Sequence, residues 1–288
     1  MKLILLFLFP VLTLSSCISY HITEKDLFYP RKVAKLDQSL QLEEVYFTTR
    51  DSVQINGWFI KQPHPEGTIL FLGGDGFYLW EGYIFDVINT LSSFRMNILF
   101  IDYRGYDRSG GIPTIHGIFE DSESAYRYLC SRSEVDSTQI IVYGHSFGSF
   151  VAVHVGSSFP VAGVVLEGAI SNTSDMKDIY LKTSTPWYVR WLVNVDADSV
   201  VLSLNNLTQI HHLSMPLLVI TGANDQIAPP EMGKKIYDSA SSTVKQFEII
   251  PNGQHNDLYL TADGRREKYL AVVSKFLDEV LKRRQIKN

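Results

Sequence analysis

Short apolar runs alternate with amphipathic stretches along most of the chain. The runs are rich in Ile, Leu and Val and lack polar alternation, which is typical of strands buried on both faces of a parallel sheet. They cover residues 69–72, 98–101, 140–143, 161–166, 217–220 and 247–250. The helical stretches between them cover residues 80–92, 118–131, 147–158, 230–239 and 265–282. Together they predict an α/β fold with a doubly wound, mostly parallel sheet and right-handed crossovers.

Residues 45–49 and 53–60 follow a different pattern, in which polar and apolar positions alternate. The Arg50-Asp51 turn separates the two segments, so that they predict an antiparallel hairpin ahead of the parallel sheet. The chain has 288 residues, a length that fits one large α/β domain or two small ones.

The first 17 residues have the features of an export signal. Lys2 precedes an apolar run over residues 3–14 that is too short to cross a hydrocarbon core of ~30 Å as a helix. Leu14-Ser15-Ser16-Cys17 resembles a bacterial lipobox, in which the cysteine is lipidated and becomes the mature N-terminus. The resemblance implies a lipoprotein signal peptide over residues 1–16 and an exported protein anchored at Cys17 on the periplasmic or cell-surface side. An ordinary cleaved signal and an uncleaved anchor are the alternatives.

Composition and charge narrow the classes of partner. The chain is 45% hydrophobic and 20% charged, as in ordinary globular proteins. Its formal net charge is −5 and its Lys and Arg residues are scattered, so we expect no nucleic-acid partner. The histidines and the two cysteines lack metal-ligand spacing, so no metal site is expected. With Cys17 lipidated, only Cys130 would remain as a free thiol, which excludes an intrachain disulfide.

A nucleophile motif stands at the end of one apolar run. Residues 140–143 lead into Gly144-His145-Ser146-Phe147-Gly148 and then into a helical stretch. This is a G-x-S-x-G motif in a strand–turn–helix context. The two glycines remove Cβ atoms that would collide with the backbone of the tight turn, and the helix start directs N–H groups at the serine oxygen. Ser146 is therefore the predicted nucleophile; a structural turn with a surface serine is the alternative.

Two later loops supply a candidate acid and a candidate base. Asp225 and His255 each follow an apolar run, in the chain order serine, acid, histidine. Because the carboxyl ends of parallel strands meet at one edge of a sheet, these side chains are expected to lie close to Ser146. His255 would take the serine proton, and Asp225 would orient the imidazole. Asp257 is the alternative acid.

The backbone N–H groups of Phe147 and Asp75 are the candidate oxyanion-hole donors. Phe147 directly follows the nucleophile, and Asp75 lies in the loop Gly73-Gly74-Asp75-Gly76 that follows residues 69–72. Glycines let this loop approach a substrate closely. Many sequences with this motif have a histidine at the first loop position, which helps to brace the loop. A carboxylate at Asp75 would also oppose an oxyanion if its side chain pointed inward.

These motifs resemble those of the α/β-hydrolase superfamily, and the resemblance covers residues 43–284. Asp102-Tyr103-Arg104-Gly105-Tyr106-Asp107-Arg108-Ser109-Gly110-Gly111 is similar to a segment of a branch that contains membrane-associated acyl-protein thioesterases and serine aminopeptidase-like hydrolases. Asp107 stands where that branch has glycine. The resemblance implies hydrolysis of an ester, thioester or amide through an acyl-enzyme, without a cofactor or a metal.

The resemblance also implies a short cap inserted at about residues 169–213, whereas residues 17–42 would form a polar tether at the membrane. Trp187 and Trp191 in the cap either line a substrate pocket, together with Gly76, or pack between cap and core. We expect a serine hydrolase that acts on a small-molecule or acylated carboxylic ester or thioester. An aminopeptidase or amidase with the same three residues, and a catalytically inactive binding lipoprotein, are the alternatives.

Overall fold

The computed structural model of the protein describes residues 18–31, 42–76, 79, 82–260 and 262–285. The predicted signal peptide and Cys17 lie outside these residues. The strands are β1 Ile18–Ile22, β2 Glu43–Thr48, β3 Gln54–Ile60, β4 Gly67–Leu72, β5 Met96–Ile101, β6 Ile140–His145, β7 Gly163–Glu167, β8 Val193–Ala197, β9 Leu217–Gly222 and β10 Lys245–Ile250. The helices are α1 Gly82–Leu91, α2 Ile115–Ser131, α3 Gly148–Ser158, α4 Thr173–Ser184, α5 Ser199–Leu202, α6 Asn206–Gln209, α7 Pro230–Ser239 and α8 Arg265–Gln285.

The central sheet has the strand order β10-β9-β7-β6-β4-β5-β3-β2. Strands β2 and β3 form an antiparallel hairpin, β3 runs antiparallel to β5, and the other neighbours in this order are parallel. This confirms the predicted fold class. The apolar run that predicts β7 begins at residue 161, two residues before the strand itself. Val161 and Ala162 extend the run because they are buried in the connection that leads to β7.

The sheet separates two apolar layers, which explains the continuous apolar runs of its strands. Helices α2, α3 and α7 cover one face, and α1 and α8 cover the other. Successive residues of β4 enter opposite layers: Leu70 and Leu72 pack into the first, and Ile69 and Phe71 into the second. A strand buried on both faces needs no polar alternation, so residues 69–72 form a continuous apolar run.

The segment 102–111 forms a buried turn held by one arginine. Arg104 is buried, its guanidinium pairs with the Asp121 carboxylate at 2.8 Å and with Asp51 at 2.7 Å, and its backbone N–H donates to Asp121 at 2.8 Å. Asp107 has a φ of +32°. A left-handed backbone at this position gives the reason why the similar segment has glycine there.

Within the predicted polar tether over residues 17–42, the structure describes residues 18–31 and 42, and the prediction is corrected for residues 18–31 because they are folded onto the domain. Strand β1 pairs in parallel with β8 in a separate two-stranded sheet. Strand β8 belongs to the cap insertion, together with α4, α5 and α6. The partner strand is far away in sequence, so no local pattern signals the pairing. Within the described ranges, no helix combines the length and the apolar character needed to cross a bilayer.

Candidate active site

The turn between β6 and α3 projects Ser146 above the sheet. Ser146 has a φ of +55°, and its N–H donates to the Glu167 carbonyl at 2.9 Å. A Cβ on Gly144 would lie 2.4 Å from the Gly148 carbonyl oxygen, and one on Gly148 would lie 2.0 Å from that of Leu72. Both glycines of the motif are therefore required by close backbone contacts, as the sequence predicts.

Three side chains from separate loops form a hydrogen-bonded chain at this turn. The Oγ of Ser146 lies 2.8 Å from Nε2 of His255, and Nδ1 of His255 lies 2.8 Å from Oδ2 of Asp225. All three residues are buried. A carboxylate only accepts, so Nδ1 carries the ring hydrogen and Nε2 accepts from the serine hydroxyl. The structure thus brings together the three residues that the sequence nominates.

The carboxylate of Asp225 is fixed on both oxygens. Oδ1 accepts the N–H groups of Ile227 at 2.9 Å and Ala228 at 2.8 Å, which leaves Oδ2 for His255. Asp257, the alternative acid, accepts from the Gln254 N–H and pairs with Arg265. Asp225 therefore occupies the position next to the imidazole, whereas Asp257 holds the loop and the start of α8.

Gly168 makes room for the imidazole and is not among the site residues predicted from the sequence. It follows β7 with a φ of +53°, and a Cβ there would lie 3.1 Å from both Cε1 and Nδ1 of His255. The same Cβ would lie 3.5 Å from Oδ2 of Asp225. The available signal was a glycine that directly follows a buried strand, at the edge of the sheet where the other loops meet.

Two tyrosines of the segment 102–111 brace the loop that crosses Ser146. The hydroxyl of Tyr103 donates to the Gly73 carbonyl at 3.2 Å, and that of Tyr106 donates to the Asp75 carbonyl at 2.7 Å. A Cβ on Gly74 would lie 3.2 Å from Cβ of Ser146, so this loop passes directly over the serine. The tyrosines supply the bracing that a histidine at the first loop position provides in similar sequences.

The Asp75 side chain folds back onto its own loop. Its Oδ1 accepts the Gly76 N–H at 3.0 Å. Burial raises the pKa of this carboxyl, and the Gly76 hydrogen bond and the positive charge of protonated His255 oppose that rise. The structure therefore places a carboxyl group close to the site while its backbone remains part of the predicted oxyanion loop.

Two further buried ionisable groups lie next to the imidazole. Burial and the charge of His255 lower the pKa of His145 to about 4, so that it is neutral at ordinary pH. Its Nε2 lies 3.2 Å from the His255 carbonyl, which accepts a hydrogen bond from it. Burial raises the pKa of Glu167 to about 7, although the hydroxyls of Tyr143 and Tyr269 donate to its carboxyl group and oppose the rise. The side chains of His145 and Glu167 are therefore both hydrogen-bonded to other protein atoms.

A cavity of about 800 Å³ contains this site. Its lining includes Gly74, Asp75, Gly76, Ser146, Phe147 and His255, so the predicted position of Gly76 in a pocket agrees with the structure. Much of the remaining wall consists of the apolar side chains of Phe150, Ile170, Met176, Ile179, Val201 and Leu204. The volume falls within the range of small-molecule sites, about 300–1,000 Å³.

The prediction that Trp187 and Trp191 line the pocket is wrong. They are 79% and 77% exposed and do not belong to the cavity lining, and this exposure also excludes packing between cap and core. The cap reaches the cavity through α4 instead. Thr173, Met176, Lys177 and Tyr180 line it at the spacing of one helical face. The spacing of these four residues in the sequence is a signal for this face of α4, whereas the size of the cap aromatics is not.

The prolyl oligopeptidase family model matches residues 114–284 of the chain. The α/β-hydrolase domain-containing protein WAV2 of Arabidopsis thaliana is 27% identical over 81% of this chain and 78% of its own length. Protein bem46 of Schizosaccharomyces pombe is 28% identical over 84% of this chain and 78% of its own length. An esterase of Pyrococcus furiosus has a similar structure, with a TM-score of 0.68, 22% identity and coverage of 88% of this chain and 98% of the esterase. This structural likeness shows a shared fold.

Gly168→Ala should impair turnover by displacing the imidazole. The added Cβ meets the His255 ring at 3.1 Å and sits on a left-handed backbone. A displacement near 1 Å costs about 100-fold in rate, so we expect kcat for a chromogenic acetyl ester to fall by about that factor. Gly110→Ala is the control, because its Cβ would meet nothing closer than 3.5 Å. Equal kcat values for Gly168→Ala and the wild type would contradict this function of Gly168.

Asp75→Asn should keep or raise kcat, because the backbone N–H survives while a negative charge near the developing oxyanion is removed. Below the raised pKa of Asp75 the wild-type carboxyl is neutral and resembles the amide; above it the carboxylate is charged. The ratio of variant to wild-type kcat should therefore increase with pH. Rate measurements from pH 5 to pH 9 test this, and a loss beyond about tenfold, well over 1 kcal/mol, would contradict the assignment.

Proposed function

Because the chain belongs to the prolyl oligopeptidase family and has the α/β-hydrolase fold, we propose that it is a serine hydrolase that cleaves a carboxylic ester or thioester. The observation that carries the proposal is the hydrogen-bonded chain from Ser146 through His255 to Asp225, with both links at 2.8 Å. The cavity around it has a mostly apolar wall, which suits an acyl group.

The proposed reaction passes through an acyl-enzyme on Ser146. The serine oxygen attacks the carbonyl carbon while Nε2 of His255 takes its proton, and Asp225 stabilises the resulting imidazolium. The imidazolium then protonates the departing alcohol or thiol. Water attacks the acyl-enzyme in the second half, His255 takes the water proton, and the serine oxygen leaves with that proton.

The N–H groups of Phe147 and Asp75 are the proposed donors to the oxyanion of each tetrahedral intermediate. Phe147 directly follows the nucleophile, and the Tyr106 hydroxyl holds the Asp75 peptide by its carbonyl. A well-placed donor contributes about 2.7–4 kcal/mol to transition-state stabilisation. The hydrogen bond from Tyr106 restrains the loop before substrate arrives, which is what such a donor requires.

The family match favours peptide-bond cleavage by the same three residues as the second candidate. Ester and amide cleavage share the acyl-enzyme and differ in the leaving group, which is poorer in the amide. The apolar wall formed by residues such as Phe150, Ile170 and Leu204 supports the ester or thioester. Acyl esters assayed beside aminoacyl naphthylamides would separate the two candidates.

Fluorophosphonate labelling tests for an activated serine. Wild-type protein should be labelled, and Ser146→Ala should give only background signal because the nucleophile is gone. Ser158→Ala removes an exposed hydroxyl at the end of α3 and is the matched control, with labelling equal to that of the wild type. Absence of labelling in folded wild-type protein, with folding checked by circular dichroism, would favour the inactive binding protein instead.

Lipidation of Cys17 is a separate part of the proposal and has its own test. The wild type expressed in a bacterium should sediment with membranes, and Cys17→Ala should not, because acyl chains contribute about 0.8 kcal/mol per buried methylene. Cys130→Ala removes the other cysteine and should remain with membranes. Fractionation and immunoblotting measure the distribution. Wild-type protein found only in the soluble fraction would contradict membrane tethering.

A further inference from the structure

Strand β1 presents one face to the cavity and the other to solvent. Tyr20 and Ile22 line the cavity, and in the register of the two-stranded sheet Tyr20 stands beside Val195, which also lines it. His21 points the other way, with its ring nitrogens each 2.9 Å from a carboxylate oxygen, one of Asp196 and one of Asp198. Strand β1 is thus held against the cap by its pairing with β8, with cavity-lining side chains on its inner face and ion pairs on its outer face.

The residues that follow β1 contact Phe147 directly and are linked to Asp75 through the Tyr106 hydroxyl. Phe28 is buried, and its ring packs edge-on against that of Phe147 with centroids 5.4 Å apart. The Tyr29 N–H donates to the Tyr106 hydroxyl at 3.3 Å, and that hydroxyl donates to the Asp75 carbonyl at 2.7 Å. The N-terminal segment therefore forms part of the apolar cavity wall and also packs against the residues around Ser146.

Helix α4 supplies another apolar part of the wall. Met176, Ile179 and Tyr180 line the same cavity as Tyr20 and Ile22. A volume of about 800 Å³ lies in the upper part of the range for small-molecule sites and far exceeds the needs of an acetyl group. Each methylene of a ligand that is buried in such a site increases the affinity about fourfold, so the apolar surface favours a long acyl chain.

We propose that the cavity-lining residues of the segment 18–29 are a specificity-determining wall of an acyl-chain site, and that the substrate is an ester or thioester of a long fatty acyl chain. The chain would lie between β1 and α4, with its carbonyl carbon at Ser146. This inference rests on the proposed acyl transfer to Ser146 and adds the substrate class. It also gives the N-terminal segment a function in binding, where the sequence predicted only a tether.

The test fills the proposed chain site from the N-terminal side. Ile22→Trp should lower kcat/KM for a hexadecanoyl ester by at least about tenfold while leaving that for an acetyl ester within about twofold, because the indole takes the volume of several methylenes. Ser19→Trp adds the same ring on a residue of β1 outside the cavity lining and is the matched control. Full-length enzyme in non-ionic detergent would be assayed with 4-nitrophenyl esters of increasing chain length.

Met176→Trp fills the site from α4 and provides an independent variant should Ile22→Trp fail to fold. It should shorten the preferred chain in the same way, since the two residues line the same cavity. An unchanged chain-length profile in both variants, or an equal loss for acetyl and hexadecanoyl esters, would overturn the proposed wall.

The same assays distinguish failure of this inference from failure of the proposed function. Wild-type enzyme that reacts with fluorophosphonate and cleaves the acetyl ester but discriminates against longer chains would overturn the acyl-chain site alone. Wild-type enzyme that neither reacts with the probe nor cleaves any ester would overturn the proposed function and this inference with it.

Discussion

A serine at the end of a buried strand rises above the sheet only if its own backbone becomes left-handed, and the site is arranged around that constraint at Ser146. Such a conformation costs about 1–3 kcal/mol in a residue other than glycine. The surroundings enforce it: Gly144 and Gly148 allow backbone contacts that no side chain would permit, and the Glu167 carbonyl accepts the serine N–H. With the hydroxyl fixed there, His255 reaches it from the loop that follows β10, and Gly168 at the end of the neighbouring strand β7 leaves the space.

Most of the fold and the three central residues followed from local patterns in the sequence. Strands buried on both faces have continuous apolar runs, and the nucleophile turn has a fixed glycine spacing, so both can be read without knowing the partners. Strand β1 could not be read in this way. It is short and mostly exposed, and its pairing partner β8 lies far along the chain. Its sequence therefore cannot be distinguished from that of a polar linker. Trp187 and Trp191 gave a wrong prediction because large aromatic side chains usually indicate burial, whereas these two are exposed.

The charges around the imidazole are controlled by different means. The Asp225 carboxylate accepts two backbone N–H groups, whereas burial lowers the pKa of His145 and holds that ring neutral. Burial also brings the pKa of Glu167 to about 7, so its charge changes near neutral pH in the interior beside the reacting groups. The negative charge of Glu167 therefore depends on pH, whereas His145 stays uncharged at ordinary pH.

Strand β1 begins one residue after the proposed lipidated cysteine. One residue spans at most about 3.6 Å, so an anchor at that cysteine leaves almost no slack before the cavity wall. A long, flexible linker would let the domain move through the aqueous space in all orientations. A short attachment through the proposed lipid anchor would instead hold the domain at a constant height and limit its tumbling. Its encounters with substrate would then occur by lateral diffusion in two dimensions. Affinity for dissolved esters would then matter less than the orientation in which the domain rests on the lipid surface.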